Sequence, residues 1–164
     1  MTDWRQKKMS DEENKSWDTL YNEYPEMFSN RHKSPRESCM AWGCEIGMGW
    51  YDIMHSICWK IKNHEENIVW QTEFKQKTDP EYKSDYIPVK FDQVKEKYGG
   101  LRVYFSGGDD YIRGVVSMAE SFSYKICEIC GERGQPNKGG WIVTLCDKCR
   151  NKQYDQTTNN SAGV

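Results

Sequence analysis

Four of the seven cysteines occur in two pairs whose spacing is typical of a metal site. The first pair is Cys127 and Cys130. The second pair, Cys146 and Cys149, follows after fifteen residues. Each Cys-x-x-Cys pair can form a tight turn around one ion, here termed a knuckle, and two knuckles complete a tetrahedron of thiolates that suits Zn²⁺. Because four protein ligands leave no open coordination position, we expect one zinc ion with a structural role.

Other uses of these four cysteines fit the sequence less well. Two disulfides would require an oxidising compartment, and residues 1–25 lack the apolar segment of an export signal. A redox motif would need a single pair on a βαβ unit, and two knuckles at this separation favour zinc or mononuclear iron over an iron–sulfur cluster. A turn rich in Gly and Pro over 136–140 and an apolar run over 141–145 predict a zinc ribbon.

A second metal site could form upstream of the ribbon. His55 and Cys58 are three residues apart on a predicted helix, so they share one face. Against this, Cys39 and Cys44 lack the spacing of a knuckle, and Cys58 belongs to an apolar stripe where a thiol behaves as a small hydrophobic side chain. The spacing favours core thiols over this second site. Its candidate ligands are Cys39, Cys44, Glu45, His55 and Cys58.

We find no set of residues in the sequence that supplies all the roles of a catalytic site. The segment 106–110 (Ser-Gly-Gly-Asp-Asp) precedes a predicted helix and could offer amides to a phosphate, but its two aspartates would repel the phosphate and instead cap the helix. Glu45 with Asp52 forms a carboxylate pair without a recognisable nucleophile. We expect a protein without enzymatic activity. The alternative is a small-molecule or nucleotide-binding protein or an enzyme that uses residues 42–52.

Aromatic and basic side chains suggest a binding surface. A zinc ribbon beside such a surface is suited to nucleic acid, and aromatic enrichment serves protein interfaces equally well. A third interpretation is that Trp141 packs the ribbon against the preceding helix. The net charge of −2 and pI of about 6.0 argue against strong non-specific nucleic-acid binding, although residues 125–152 hold six bases and three acids. The candidate surface residues are Arg102, Tyr104, Arg113, Lys138 and Trp141.

Hydrophobic periodicity predicts the elements that position these residues. A capping box at Ser10 and Glu13 starts a first helix that Pro25 ends. A second helix covers 44–62, although two glycines weaken its first turns and allow a start as late as Trp50. A short strand is expected over 68–74.

A β-hairpin and a third helix follow. The hairpin spans 86–106 and turns at Gly99-Gly100, and a break in its alternation between Phe91 and Val94 indicates a bulge or an early strand end. The third helix follows Asp110. Its expected buried face is Ile112, Val115, Val116, Ala119 and Phe122.

These elements define an α+β fold in which helices pack on a small β-hairpin sheet. We assign residues 1–124 to the α+β domain, 125–152 to the zinc ribbon, and 153–164 to a polar tail that we expect to be disordered. The mean hydropathy of −0.94, with no apolar run near 20 residues, predicts no membrane association.

The segment 94–109 (VKEKYGGLRVYFSGGD), together with the two knuckles, resembles a family of small, mostly uncharacterised proteins encoded by tailed bacteriophages and prophages. The motifs at 38–43 and 49–51 extend the resemblance, which covers about residues 24–150. It implies a phage origin and action in the cytoplasm of the bacterial host. With the small size and aromatic richness, it suggests that the partner is a host factor or a host-defence component. The resemblance carries no activity that transfers to individual residues.

Overall fold

The computed structural model describes residues 15–152. Within this range, helices pack on a small mixed sheet and a cluster of four cysteines lies at the C-terminal end, so the predicted α+β class is confirmed. The predicted capping box at Ser10 and Glu13 and the predicted disordered tail over 153–164 lie outside the described residues. No helix in the described range is both long and apolar enough to cross a membrane.

Helix α1 spans Trp17–Glu23 and buries Leu20 and Tyr21. Its N-cap is Ser16, whose Oγ accepts a hydrogen bond from the Thr19 amide at 3.1 Å. Helix α1 therefore begins at Trp17. Two 3₁₀ helices, Ser29–His32 and Cys39–Trp42, follow.

Helix α2 spans Tyr51–Gln76 and differs from the prediction at its C-terminal end. The late start is confirmed, because strand β1 (Cys44–Glu45) and a 3₁₀ helix (Met48–Trp50) occupy the preceding residues. The predicted strand over 68–74 is wrong, since α2 continues through it. Trp70 and Phe74 are exposed in this half of α2. Aromatic residues favour strands because they pack well on a half-buried sheet, and these two side chains have no such surface to pack against.

The sheet has the order β1-β2-β3, with β2 at Lys90–Lys97 and β3 at Gly100–Ser106. The hairpin turns at Tyr98-Gly99, both with positive φ, a conformation that glycine adopts without strain. A register shift between Phe91 and Gln93 confirms the predicted bulge. Strand β1 adds in parallel to β2 and places Cys44 opposite Val94.

Helix α3 spans Asp110–Ser123 and packs on β3 and α2. Ile112 and Val116 are buried as predicted, but Phe122 is 51% exposed. Ser123 takes the buried position in the last turn, where its Oγ accepts a hydrogen bond from the Leu101 amide at 2.9 Å and donates one to the Glu120 carbonyl. This polar contact with β3 turns Phe122 towards solvent.

The ribbon contains two short strands, β4 (Gln135–Pro136) and β5 (Thr144–Leu145), which pair antiparallel. The apolar run over 141–145 therefore forms a strand only at its last two residues. The Asn137 side chain shapes the loop instead: it accepts a hydrogen bond from the Val143 amide and donates to the Gly139 and Trp141 carbonyls. These three hydrogen bonds to the backbone take the place of the strand-to-strand hydrogen bonds that a longer β5 would have made.

Candidate metal centre

The four predicted ligands converge on one point. The Sγ atoms of Cys127, Cys130, Cys146 and Cys149 all lie within 4.8 Å of one another, and Cys130 Sγ is 3.6 Å from Cys146 Sγ. A zinc tetrahedron with Zn–S bonds of about 2.3 Å has sulfur–sulfur edges of about 3.8 Å. A disulfide would need about 2.05 Å. The donor set therefore fits one tetrahedral ion better than two disulfides.

The two knuckles are built by main-chain hydrogen bonds. In the first knuckle, the Gly131 amide donates to the Cys127 carbonyl at 2.9 Å, and Gly131 adopts the positive φ that closes the turn. In the second, the Cys149 amide points at Cys146 Sγ, 3.5 Å away. The Glu128 amide donates to the Thr144 carbonyl at 3.0 Å, so a β-type contact holds the knuckles together.

The main chain also favours thiolate at the centre. Burial would raise the pKa of Cys127, but backbone N–H groups that point at its Sγ hold the pKa at about 7, below the ordinary thiol value. Burial and hydrogen bonding to the other cysteines raise the pKa of Cys149 to about 12. Four adjacent thiols do not all ionise without a cation among them. A divalent ion would supply the charge that lets all four bind as thiolates.

Arg150 has a structural role that the sequence did not indicate. Its guanidinium donates hydrogen bonds to the carbonyls of Gln135 at 2.8 Å and Leu145 at 3.2 Å. It therefore ties β4 to β5. Lys148 is exposed beside the second knuckle.

The ribbon is joined to the α+β region by close main-chain contacts. The Gly49 amide donates to the Glu128 carbonyl at 2.7 Å, and the Gly47 amide donates to Glu128 Oε1 at 3.0 Å. The indole of the fully buried Trp50 donates to the Ile126 carbonyl at 2.8 Å. A Cβ on Gly49 would collide with main-chain atoms of the first knuckle. The glycines therefore let one backbone lie directly against the other.

The candidate ligands of the second site are placed in different environments. Cys44 and Cys58 are buried, which raises the pKa of both thiols, whereas Cys39 is exposed. His55 Nε2 lies 3.3 Å from the Glu23 carboxylate, and Glu45 is exposed on β1. Within residues 15–152, the ribbon cysteines are the one group of three or more possible ligands that come together. The upstream residues are not brought together as a ligand set.

The residues of the predicted binding surface lie on β3, on the ribbon loop and on α3. Arg102 and Tyr104 lie on the outer face of the hairpin, where the Arg102 guanidinium donates to the Tyr124 hydroxyl at 2.7 Å. Lys138 and Trp141 lie on the exposed ribbon loop, and Trp141 is 81% exposed, so it does not pack the ribbon against α3. Arg113 pairs with Asp110 in the first turn of α3, about 15 Å of helix from its C-terminal end.

Two of the acidic residues that we considered, Asp109 and Asp52, have structural partners. Asp109 is the N-cap of α3: its Oδ1 accepts from the Ile112 amide at 3.2 Å and its Oδ2 lies 2.7 Å from His64 Nε2. These bonds outweigh the effect of partial burial and lower the pKa of Asp109. Asp52 pairs with Lys15 at 2.9 Å. The segment 106–110 therefore caps a helix, as we interpreted it from the sequence.

No family model matches this sequence, and no significant match is found among curated proteins or solved structures.

Proposed function

We propose that this chain is a non-enzymatic zinc-ribbon protein that binds another protein. The observation that carries the proposal is the convergence of four cysteine Sγ atoms within 4.8 Å of one another. Four thiolate ligands fill the coordination sphere of Zn²⁺, so the ion would have no position for substrate or water and would serve to hold the ribbon in shape. The contacts of Gly49 and Trp50 then fix that shape to the α+β region.

The binding surface in this proposal is formed by large apolar side chains at the ribbon end of the molecule. Trp141 is 81% exposed, Tyr98 at the hairpin turn is 67% exposed, and Ile129 between the first two cysteines is 53% exposed. The hairpin turn adjoins the ribbon, because the Thr144 hydroxyl donates to the Gly99 carbonyl. Exposed aromatic side chains on a rigid support are typical anchors of protein interfaces. The resemblance to phage proteins suggests a bacterial host or defence protein as the partner, met in the cytoplasm.

Nucleic acid is the second candidate partner, and the outer face of the hairpin favours it. Lys95 lies directly opposite Arg102 in the ladder, and its ammonium is 5.5 Å from the centre of the Tyr104 ring. Basic and aromatic groups on one face of a sheet can contact phosphates and stack on bases. Binding of this kind weakens steeply with salt. Replacement of Arg102 and Lys95 by Ala should then reduce the salt dependence of retention on single-stranded or duplex DNA.

Metal analysis tests the structural centre. We expect about one zinc per chain after purification, and Cys146→Ser should lose most of the metal and the amide-exchange protection of residues 125–150. Cys39→Ser removes an exposed thiol outside the cluster and should retain the metal. A metal-free protein with an equally protected ribbon would contradict the zinc assignment.

The partner is tested by affinity purification from host cells that express the tagged chain. A stoichiometric protein that is recovered with the natural sequence, reconstituted from purified components, and lost with Trp141→Ala would support the proposal. Trp42→Ala is the matched control, since Trp42 is 67% exposed and is not part of this surface. Failure to recover any stoichiometric protein would count against a protein partner.

A further inference from the structure

A cleft between α2 and α3 has the composition of a binding site, and neither the zinc centre nor the proposed partner surface uses it. Its volume is about 460 Å³. Lys60 lines this cleft and no acid does, whereas the neighbouring cleft beside the N-terminus of α3 is lined by three acids (Asp85, Asp109 and Asp110) and two bases (Lys75 and Arg113). The lining residues are Trp59, Lys60, Asn63, His64, Asn67 and Tyr111.

Two amide side chains in the cleft are available to a ligand. Asn63 and Asn67 are one helical turn apart, so both lie on the same face of α2. Among the described residues, neither amide has a hydrogen-bond partner, although other polar groups of α2 nearby are paired. Each amide presents a donor beside an acceptor, the pattern that pairs with the edge of a nucleobase.

Aromatic rings form the walls of the cleft and one of them is held rigidly. Tyr111 stacks on the His64 ring with centroids 4.5 Å apart, and His64 is fixed in turn by its 2.7 Å contact with Asp109. Trp59 and Tyr111 are 49% and 48% exposed, so each retains a large area for contact. The Lys60 ammonium lies over the Trp59 ring, 5.0 Å from its centre, so a positive charge sits directly on the aromatic wall.

We propose that this cleft binds an unpaired nucleotide. The base stacks on an exposed ring of Trp59 or Tyr111, its polar edge bonds to the amides of Asn63 and Asn67, and Lys60 contacts the phosphate. A base in a duplex would not fit, because both of its faces and its pairing edge are already occupied. The ligand is either a free mononucleotide or a residue of a single strand, which share this chemistry. The inference does not depend on the protein partner proposed above.

The test measures binding of AMP, UMP, adenosine and a short single-stranded oligonucleotide to the full chain by calorimetry and by fluorescence anisotropy. We expect the single strand to bind, with Trp59→Ala and Asn63→Ala each weakening it about tenfold or more. Trp42→Ala, an exposed tryptophan elsewhere, should bind as the natural chain does. Because Trp59 is half-exposed, its replacement should leave thermal unfolding nearly unchanged, and Tyr111→Leu provides a second variant.

Comparison of the probes shows whether the cleft binds a free nucleotide or a single strand. Binding of AMP as tightly as the oligonucleotide identifies a free nucleotide, and binding of the oligonucleotide alone identifies a single strand. Weaker binding of adenosine than of AMP, with the difference lost in Lys60→Ala, supports the phosphate contact. Two results would overturn the proposal: no binding of any of these probes at millimolar concentration, or binding that Trp59→Ala and Asn63→Ala leave intact while Arg102→Ala abolishes it.

Discussion

The contact between Gly49 and the first knuckle can be tested by adding a single carbon atom. In Gly49→Ala, the new Cβ would lie 2.6 Å from the Glu128 carbonyl oxygen and 2.5 Å from the Gly131 nitrogen. Both are main-chain atoms, and real Cβ atoms essentially never approach other heavy atoms within 3.0 Å. The knuckle must therefore move, which also strains the 2.7 Å hydrogen bond from the Gly49 amide to Glu128.

The expected loss follows from these contacts. Overpacking of this kind costs about 1–3 kcal/mol, and a weakened hydrogen bond adds about 1 kcal/mol. The lower entropy of alanine in the unfolded chain returns up to about 1 kcal/mol. The free energy of unfolding should fall by about 1–4 kcal/mol, or about 2–16 °C in the melting temperature of a chain of this size.

Thermal unfolding with zinc present gives the first measurement, and amide exchange locates the effect. Protection from exchange should fall at two amides: that of Gly49, which donates to the Glu128 carbonyl across the contact, and that of Glu128, which donates to the Thr144 carbonyl within the ribbon. Gly114→Ala is the matched control: Gly114 is on exposed α3 with nothing within 4 Å of its added Cβ, so alanine should stabilise the helix by about 1 kcal/mol. If Gly49→Ala melts at or above the temperature of the natural chain, the close contact described here is refuted.

Two further substitutions test the attachment of α3. Ser123→Ala leaves the buried Leu101 amide without its partner and should lower the free energy of unfolding, measured by chemical denaturation, by about 1–3 kcal/mol. Ser121→Ala, at an exposed position of the same helix, should change it by less than about 0.5 kcal/mol. Equal effects of the two substitutions would contradict the role of Ser123. Asp109→Asn preserves an N-cap but not the charge beside His64. Folding lowers the pKa of Asp109, so the ionised carboxylate stabilises the folded protein. This stabilisation is fully present above the ordinary carboxyl pKa of about 3.9, and it is lost as the pH falls through the lower pKa of Asp109 in the folded protein. The natural chain should therefore exceed Asp109→Asn in stability at pH 5 and lose that advantage under strong acid; a difference independent of pH would exclude the charge as its cause.

The cluster of four cysteines could be predicted in large part because its information is local. Two residues between cysteines place both thiols on one tight turn, whatever surrounds them, and the spacing of 127, 130, 146 and 149 was enough to predict which thiols come together. The role of Arg150 could not be predicted, because its acceptors are carbonyls at Gln135 and Leu145. Any backbone offers such acceptors, so no residue type marks them in the sequence.

The glycines at 47 and 49 show a different limit. Their types predicted a weakened helix start, and α2 does begin after them. The sequence did not show that they meet Glu128, some 80 positions later, because close backbone approach requires only the absence of a side chain. The cleft that contains Asn63 and Asn67 was missed for a related reason: periodicity ended the helix at 62 and divided residues that α2 holds on one face.

The sequence alone determined which four cysteines form the cluster, the hairpin with its bulge, the capped third helix and the α+β class, because each depends on the spacing or type of neighbouring residues. Only the tertiary structure decided which aromatic side chains are buried: Trp50 is fully buried, whereas Trp141 and Phe122 are exposed. It also decided that the ribbon contacts the segment 47–50 and that α2 and α3 enclose a cleft. An aromatic ring is buried only when another part of the protein covers it, and the residues that do so are often far away in the sequence. Which residues these are is decided when the core packs together.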